Sequence, residues 1–109
     1  MRLNLLVLRT NKPDELKSFY SAFGARFVSE RHGGGPDHYS ARLGDLVLEI
    51  YPTADGTPPD PSLRIGLIVD DLHGALRSIG QAVTPRQTPW GLRAVVRDPD
   101  GRAVELCQA

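Results

Sequence analysis

The sequence predicts an α+β fold of two tandem β-α-β-β-β modules that form an open, cup-shaped half-barrel of mixed sheet, with the helices on its convex side. Three observations carry this. Leu16, Phe19, Tyr20 and Phe23 recur at i, i+3, i+4 and i+7, as do Leu72, Ala75, Leu76 and Ile79, and each run meets a glycine, Gly24 or Gly80. Each helical run follows one apolar strand-like segment and precedes several more. Leu16 and Leu72, Gly24 and Gly80, and Glu49 and Glu105 all stand 56 positions apart, so the chain is a duplication.

The elements follow in order. Leu3 to Leu8 read as a buried strand. Pro13, Asp14 and Glu15 form a first helical turn, with proline early and acids at the positive end of the dipole. Arg26 to Glu30 make a second strand, and "RHGGGPDHYS" is a loop that becomes a third, from His38 to Arg42. A tight turn at Gly44–Asp45 leads to the fourth, Leu46 to Tyr51. Residues 52–62 form a proline-rich connector with Pro52, Pro58, Pro59 and Pro61. In the second half, Leu63 to Val69 are a strand, Asp70 or Asp71 caps the helix, and "AVT" is a short strand. "PRQTPWG" takes the place of "RHGGGPD", and Leu92 to Arg97 and Arg102 to Cys107 are strands joined by a type I turn at "DPDG". Modules of residues 1–51 and 63–109 are each too small to close a core alone, so one domain spanning 1–109 is expected.

With 13 basic and 13 acidic residues the net charge is zero, and no basic face marks a nucleic-acid partner. Cys107 is the single cysteine, which excludes an internal disulfide and predicts a reducing, cytoplasmic setting. The opening apolar run, Leu5 to Leu8, is far short of the about 20 residues of a membrane span.

Neighbours on a strand point to opposite faces. Leu46, Leu48 and Ile50, with Val104 and Leu106, belong beneath the helices; Val47, Glu49 and Tyr51, with Ala103, Glu105 and Cys107, belong on the other face. A full charge at the same place in each half marks that face as a cup with polar groups inside. Either His38 or Tyr39 also faces the cup, whereas His32 and His73 read as ordinary surface positions. "HGGGP" lacks the Lys-Ser or Lys-Thr of a phosphate loop and reads as a connection near the cup's mouth. Trp90, the only tryptophan, is a rim aromatic able to stack on a ligand, seal a subunit contact or plug the core's edge. Cys107 has no base beside it in sequence, so no catalytic thiolate is expected.

The chain resembles the vicinal oxygen chelate superfamily of glyoxalases, bleomycin-resistance proteins and extradiol dioxygenases. The resemblance rests on "LKSFYSAFG", "LEIYP", "IVDDL" and "TPWGLRAVVRDPDGRAVEL" in this order. It implies metal ligands on the first and last strands of each module, which here fall on Asn4, Glu49, Arg64 and Glu105. An arginine has no lone pair to offer and its charge repels a cation. No metal cofactor is therefore expected; a divalent ion, if bound, would take Glu49 and Glu105, and a hard cation would suit them. Arg64 is expected to stand in its place between the two glutamates.

The resemblance further implies a homodimer that binds a small organic ligand, broadly like the bleomycin-resistance branch. The expected ligand-binding residues are Asn4, His38, Glu49, Tyr51, Arg64, Trp90 and Glu105, with no catalytic residue assigned. The arginine would take a carboxylate or phosphate and the glutamates an amine or hydroxyls. One rival is a metal-dependent glyoxalase-like lyase, isomerase or dioxygenase in which Asn4, His38, Glu49 and Glu105 converge on one ion. Another is a non-catalytic interaction module whose cup is filled by its own side chains. His38 turned toward Glu49 favours the enzyme, and Arg64 between the glutamates favours binding.

Overall fold

Each half of the chain builds the same four-stranded mixed sheet around one helix. The structure is a computed structural model that describes residues 1–54 and 57–109; positions 55 and 56 of the connector lie outside the described residues. The first half runs β1 (Leu5–Thr10), α1 (Pro13–Ser21), β2 (Val28–Glu30), β3 (His38–Leu43) and β4 (Leu46–Pro52). The second runs β5 (Ile65–Val69), α2 (Leu72–Ile79), β6 (Arg86–Thr88), β7 (Gly91–Arg97) and β8 (Ala103–Gln108). The sheets have the orders β1-β4-β3-β2 and β5-β8-β7-β6, parallel at the first pair and antiparallel elsewhere. This is the α+β architecture of two tandem β-α-β-β-β modules, open rather than closed into a barrel. Its hydrogen-bonded ladders fall into two sheets, one per module.

The helices form where apolar spacing and end signals agree. In α1, Pro13 opens the helix, Asp14 and Glu15 fill the first turn, and Leu16, Phe19 and Tyr20 are buried. In α2, the Asp71 side chain accepts from the Gly74 amide, and Gly80 ends the helix in the left-handed conformation with φ 69°. Leu48 and Ile50 of β4 and Val104 and Leu106 of β8 are buried in one apolar cluster with Leu16, Tyr20, Leu72 and Leu76. That leaves Glu49 and Glu105 on the opposite, concave face of each sheet. None of the described helices is long and apolar enough to cross a membrane.

Several boundaries differ from the sequence reading. The first strand lies two residues later than expected, because its ladder follows β4 through Arg9 opposite Tyr51 and Thr10 opposite Pro52. The second strand begins at Val28 rather than Arg26, where pairing with β3 starts. "AVT" is not a strand; the pairing residues are Arg86–Thr88, in a segment expected to be loop. The Gln81 side chain explains the shift. It donates to the Arg97 carbonyl and accepts from the Arg97 amide, so a side chain takes the backbone groups that a strand at 82–84 would need.

Candidate functional site

The concave face of the first module is set by ladder register. Glu30 stands opposite His38 on β2 and β3, and Ser40 stands opposite Glu49 on β3 and β4. Paired residues share a face, and so do residues two apart on a strand, so Glu30, His38 and Glu49 point the same way. His38 is 4% exposed, and its ring stacks on Tyr51 with centroids 4.1 Å apart and planes 10° from parallel. Its Nε2 lies 3.4 Å from Glu30 Oε2 and 3.3 Å from Glu49 Oε2. His32, in the loop between β2 and β3, brings its Nε2 to 3.4 Å from the same Glu30 oxygen. Beyond the glutamates opens a cavity of about 620 Å³, lined in part by Asn4, Leu5, Arg26, Arg42 and Glu49.

The second module carries different chemistry at equivalent places. Arg86 stands opposite Arg93, and Val95 opposite Glu105. By register Arg86, Arg93 and Glu105 thus occupy the positions of Glu30, His38 and Glu49. Glu105 accepts from Arg64 Nη2 at 2.9 Å and pairs with Arg93 Nη1. The Arg64 hydrogen bond, with the Arg93 and Arg64 charges behind it, outweighs desolvation and holds the Glu105 carboxyl below the usual carboxylate range. The Arg93 guanidinium lies 5.8 Å from the centroid of the Trp90 ring, which is 73% exposed. Trp90, Arg86, Arg93 and Glu105 line a cavity of about 350 Å³ whose remaining wall includes Val83, Ala94 and Val95. Arg64, Arg86 and Arg93 against Glu105 leave this face net positive.

The residues singled out in the sequence are therefore distributed over two faces. Asn4, His38, Glu49 and Tyr51 belong to the first, and Arg64, Trp90 and Glu105 to the second. His38 does face Glu49. Arg64 does not sit between the glutamates: it pairs with Glu105, while the close charged contact of Glu49 is with His38. The ladders also settle which first-strand residues are equivalent. Val7 stands opposite Glu49 and Gly66 opposite Glu105, so the counterpart of Arg64 is Leu5, and Asn4 is one place off. A leucine and a hydrogen-bonded arginine cannot complete a metal set with Glu49 and Glu105. The positions that the resemblance assigned to a metal thus do not fit one.

Sequence reasoning missed Glu30, His32, Arg86 and Arg93. Glu30 and Arg86 are 56 positions apart and lie where strands were expected or turned up, so the duplication register could have paired them. His32 carried no such signal. Its position depends on the turn in which the Gly35 amide donates to the His32 carbonyl and Arg31 Nε to the Gly35 carbonyl.

The family model described as the glyoxalase/bleomycin resistance protein/dioxygenase superfamily matches residues 2–106. Comparison with curated proteins returns no match. Among solved structures, an antibiotic-binding protein from Streptomyces sp. CB03234, TnmS3, superposes with TM-score 0.73 and 25% identity, covering 99% of this chain and 95% of that one. A glyoxalase/bleomycin resistance protein from the same organism gives TM-score 0.70 and 25% identity, over 98% of this chain and 100% of that one. A lactoylglutathione lyase from Agrobacterium tumefaciens shares the fold at TM-score 0.66 and 19% identity, over 99% of this chain and 93% of that one.

Proposed function

Since the chain belongs to the glyoxalase/bleomycin resistance protein/dioxygenase superfamily, we propose that it binds a small aromatic organic anion on the concave face of its second module, without a metal there, as a homodimer. The observation that carries this reading is the exposed Trp90 beside Arg93 in a cavity of about 350 Å³. That volume lies in the range of small-molecule sites, and an apolar wall with a few convergent polar groups is their usual lining. The indole offers a stacking surface, and the net positive charge left around Glu105 suits a carboxylate, phosphate or sulfonate. The Arg93 side chain is 32% exposed and lines this cavity, so its guanidinium can meet a ligand there. The likeness to an antibiotic-binding protein at 25% identity supports a ligand of drug-like size.

A second reading, a metal-dependent lyase, isomerase or dioxygenase, draws on the approach of His38 to Glu49. It is weaker for an ion shared between the modules, because two guanidinium groups already engage Glu105. A filled, purely interacting cup is weaker still, since both concave faces carry open cavities.

Trp90 is the only tryptophan, so its fluorescence reports directly on this site. Titration with a panel of aromatic carboxylates, phosphates and sulfonates is expected to quench or shift the emission saturably. Arg93→Met should weaken binding by about tenfold or more, the loss of one charge-assisted hydrogen bond of about 1.5–3 kcal/mol. No change across the panel, or equal binding by Arg93→Met, overturns the reading.

A further inference from the structure

We propose that Glu30, His32, His38 and Glu49 form a zinc site contained within the first module and separate from the ligand face of the second. One donor atom from each of the four residues lies within 4.8 Å of the others. The shortest separations run as a chain: His32 Nε2 to Glu30 Oε2 at 3.4 Å, Glu30 Oε2 to His38 Nε2 at 3.4 Å, and His38 Nε2 to Glu49 Oε2 at 3.3 Å. The edge of a tetrahedron with zinc–ligand bonds of about 2.0–2.1 Å is about 3.3 Å. Three of the six donor separations therefore match the tetrahedral edge, and the other three, all within 4.8 Å, need only small side-chain rotations of exposed His32 and part-exposed Glu30 and Glu49 to close on one ion.

His38 supplies the independent observation. Its side chain is 1% exposed, and its Nε2 has no hydrogen-bond partner among the described residues although two carboxylates lie close by. Nδ1 lies 3.3 Å from the Pro36 carbonyl oxygen, which can only accept, and this assigns the ring proton to Nδ1. Nε2 then presents its lone pair to Glu30 and Glu49, an arrangement that is repulsive until a cation enters. A metal-bound histidine is oriented in this way, with the far nitrogen donating to a backbone carbonyl. A proton on Nε2 would relieve His38 alone. It would not account for His32 converging on the same Glu30 oxygen, whereas one divalent ion accounts for all four groups.

The donor set selects the ion. Two imidazoles and two carboxylates suit zinc and other borderline divalent ions better than magnesium or calcium. This departs from the sequence expectation that no metal is bound. It also uses a donor set other than the strand positions inferred from the resemblance, sharing only Glu49 with them.

The test is a zinc titration of the untagged full chain against a chromophoric chelator, with cobalt as a spectroscopic substitute. Binding of one zinc per chain and the strong visible absorption of tetrahedral cobalt are expected. His32→Ala, Glu30→Gln and His38→Gln should each weaken zinc by at least about tenfold, and Glu105→Gln should leave it unchanged. His32 is exposed and Glu30 only partly covered, so these two variants decide the matter if His38→Gln fails to fold. Absence of stoichiometric zinc overturns the proposal. So does binding that survives His32→Ala and Glu30→Gln undiminished, and its loss in Glu105→Gln would then place the ion between the modules.

Discussion

Tyr20 donates a 2.8 Å hydrogen bond to Asp98, and Arg102 closes on the same carboxylate at 3.1 Å while its Nη2 reaches the Arg9 carbonyl at 2.9 Å. All three side chains are buried, so each polar atom depends on the others for what water would otherwise supply. Burial first, and then the Asp98 charge and hydrogen bond, raise the Tyr20 phenol well above its ordinary value of 10.0. An unfolded Tyr20 loses its proton near pH 10, whereas the folded one keeps it. Its contribution to stability is therefore complete below pH 10 and falls as the pH rises above it. Tyr20→Phe is expected to cost about 1 kcal/mol at neutral pH, the worth of one hydrogen bond. The deficit should shrink above pH 10, where only the wild type bears the ionisation. Urea unfolding between about pH 8 and pH 11 checks this, and a constant deficit would refute it. Glu49 and Glu105 were legible in the sequence because each is a full charge inside an apolar strand. Asp98 was not, since Asp-Pro-Asp-Gly reads as an exposed turn. The turn is present, with the Gly101 amide donating to the Asp98 carbonyl, but its first side chain points inward.

At the scale of elements, both helices and the last two strands of each module stood close to where apolar period and glycine punctuation placed them. The misplaced strands, β1, β2, β6 and β5, the last starting at Ile65 rather than Leu63, lie at sheet edges. An edge strand is defined by the length of its one partner rather than by its own pattern, which is why its limits cannot be read locally. Helix α2 shows how finely its end signals interlock. Gly74 sits in the first turn, and a Cβ built there would collide with the Asp71 carboxylate that caps the helix. Glycine inside a helix ordinarily costs about 0.8–1.0 kcal/mol relative to alanine. Gly74→Ala should nevertheless give little or no gain in the wild type, because it displaces a cap worth about 1 kcal/mol. In an Asp71→Ala background the same change should stabilise by about 1 kcal/mol. Thermal unfolding of the four proteins of this cycle measures the coupling. Additive effects would show that the cap and Gly74 are independent.

The whole molecule is a duplication whose halves have kept one backbone plan and exchanged chemistry. Register places Glu30, His38 and Glu49 where the other half has Arg86, Arg93 and Glu105, so the first half gathers cation donors around His38, with Arg26 and Arg42 further along the same cavity, while the second presents an excess of arginine. Within the chain the halves are tied by Tyr20, Asp98, Arg102 and the bond from Lys12 to the Pro99 carbonyl. The result is elongated, 47 × 30 × 25 Å, with a radius of gyration of 14.4 Å against about 13 Å for a compact domain of this length. Its accessible surface is 6954 Å², whereas a monomeric protein of 11.9 kDa averages about 5,900 Å². The excess is close to the about 800 Å² that each partner buries in a standard interface. Apolar surface is available to fill it: Ile68 on edge strand β5 is 78% exposed, beside a cavity lined by Phe23, Leu43, Leu46 and Leu67. A second copy of the chain covering this region would bring the surface back to the average and protect the β5 edge. Light scattering on the eluting protein should therefore give twice the 11.9 kDa chain mass. Ile68→Glu should return the mass of one chain with an unchanged far-ultraviolet spectrum. A monomeric wild type would sink the homodimer, and a dimer that persists in Ile68→Glu would move the interface away from β5.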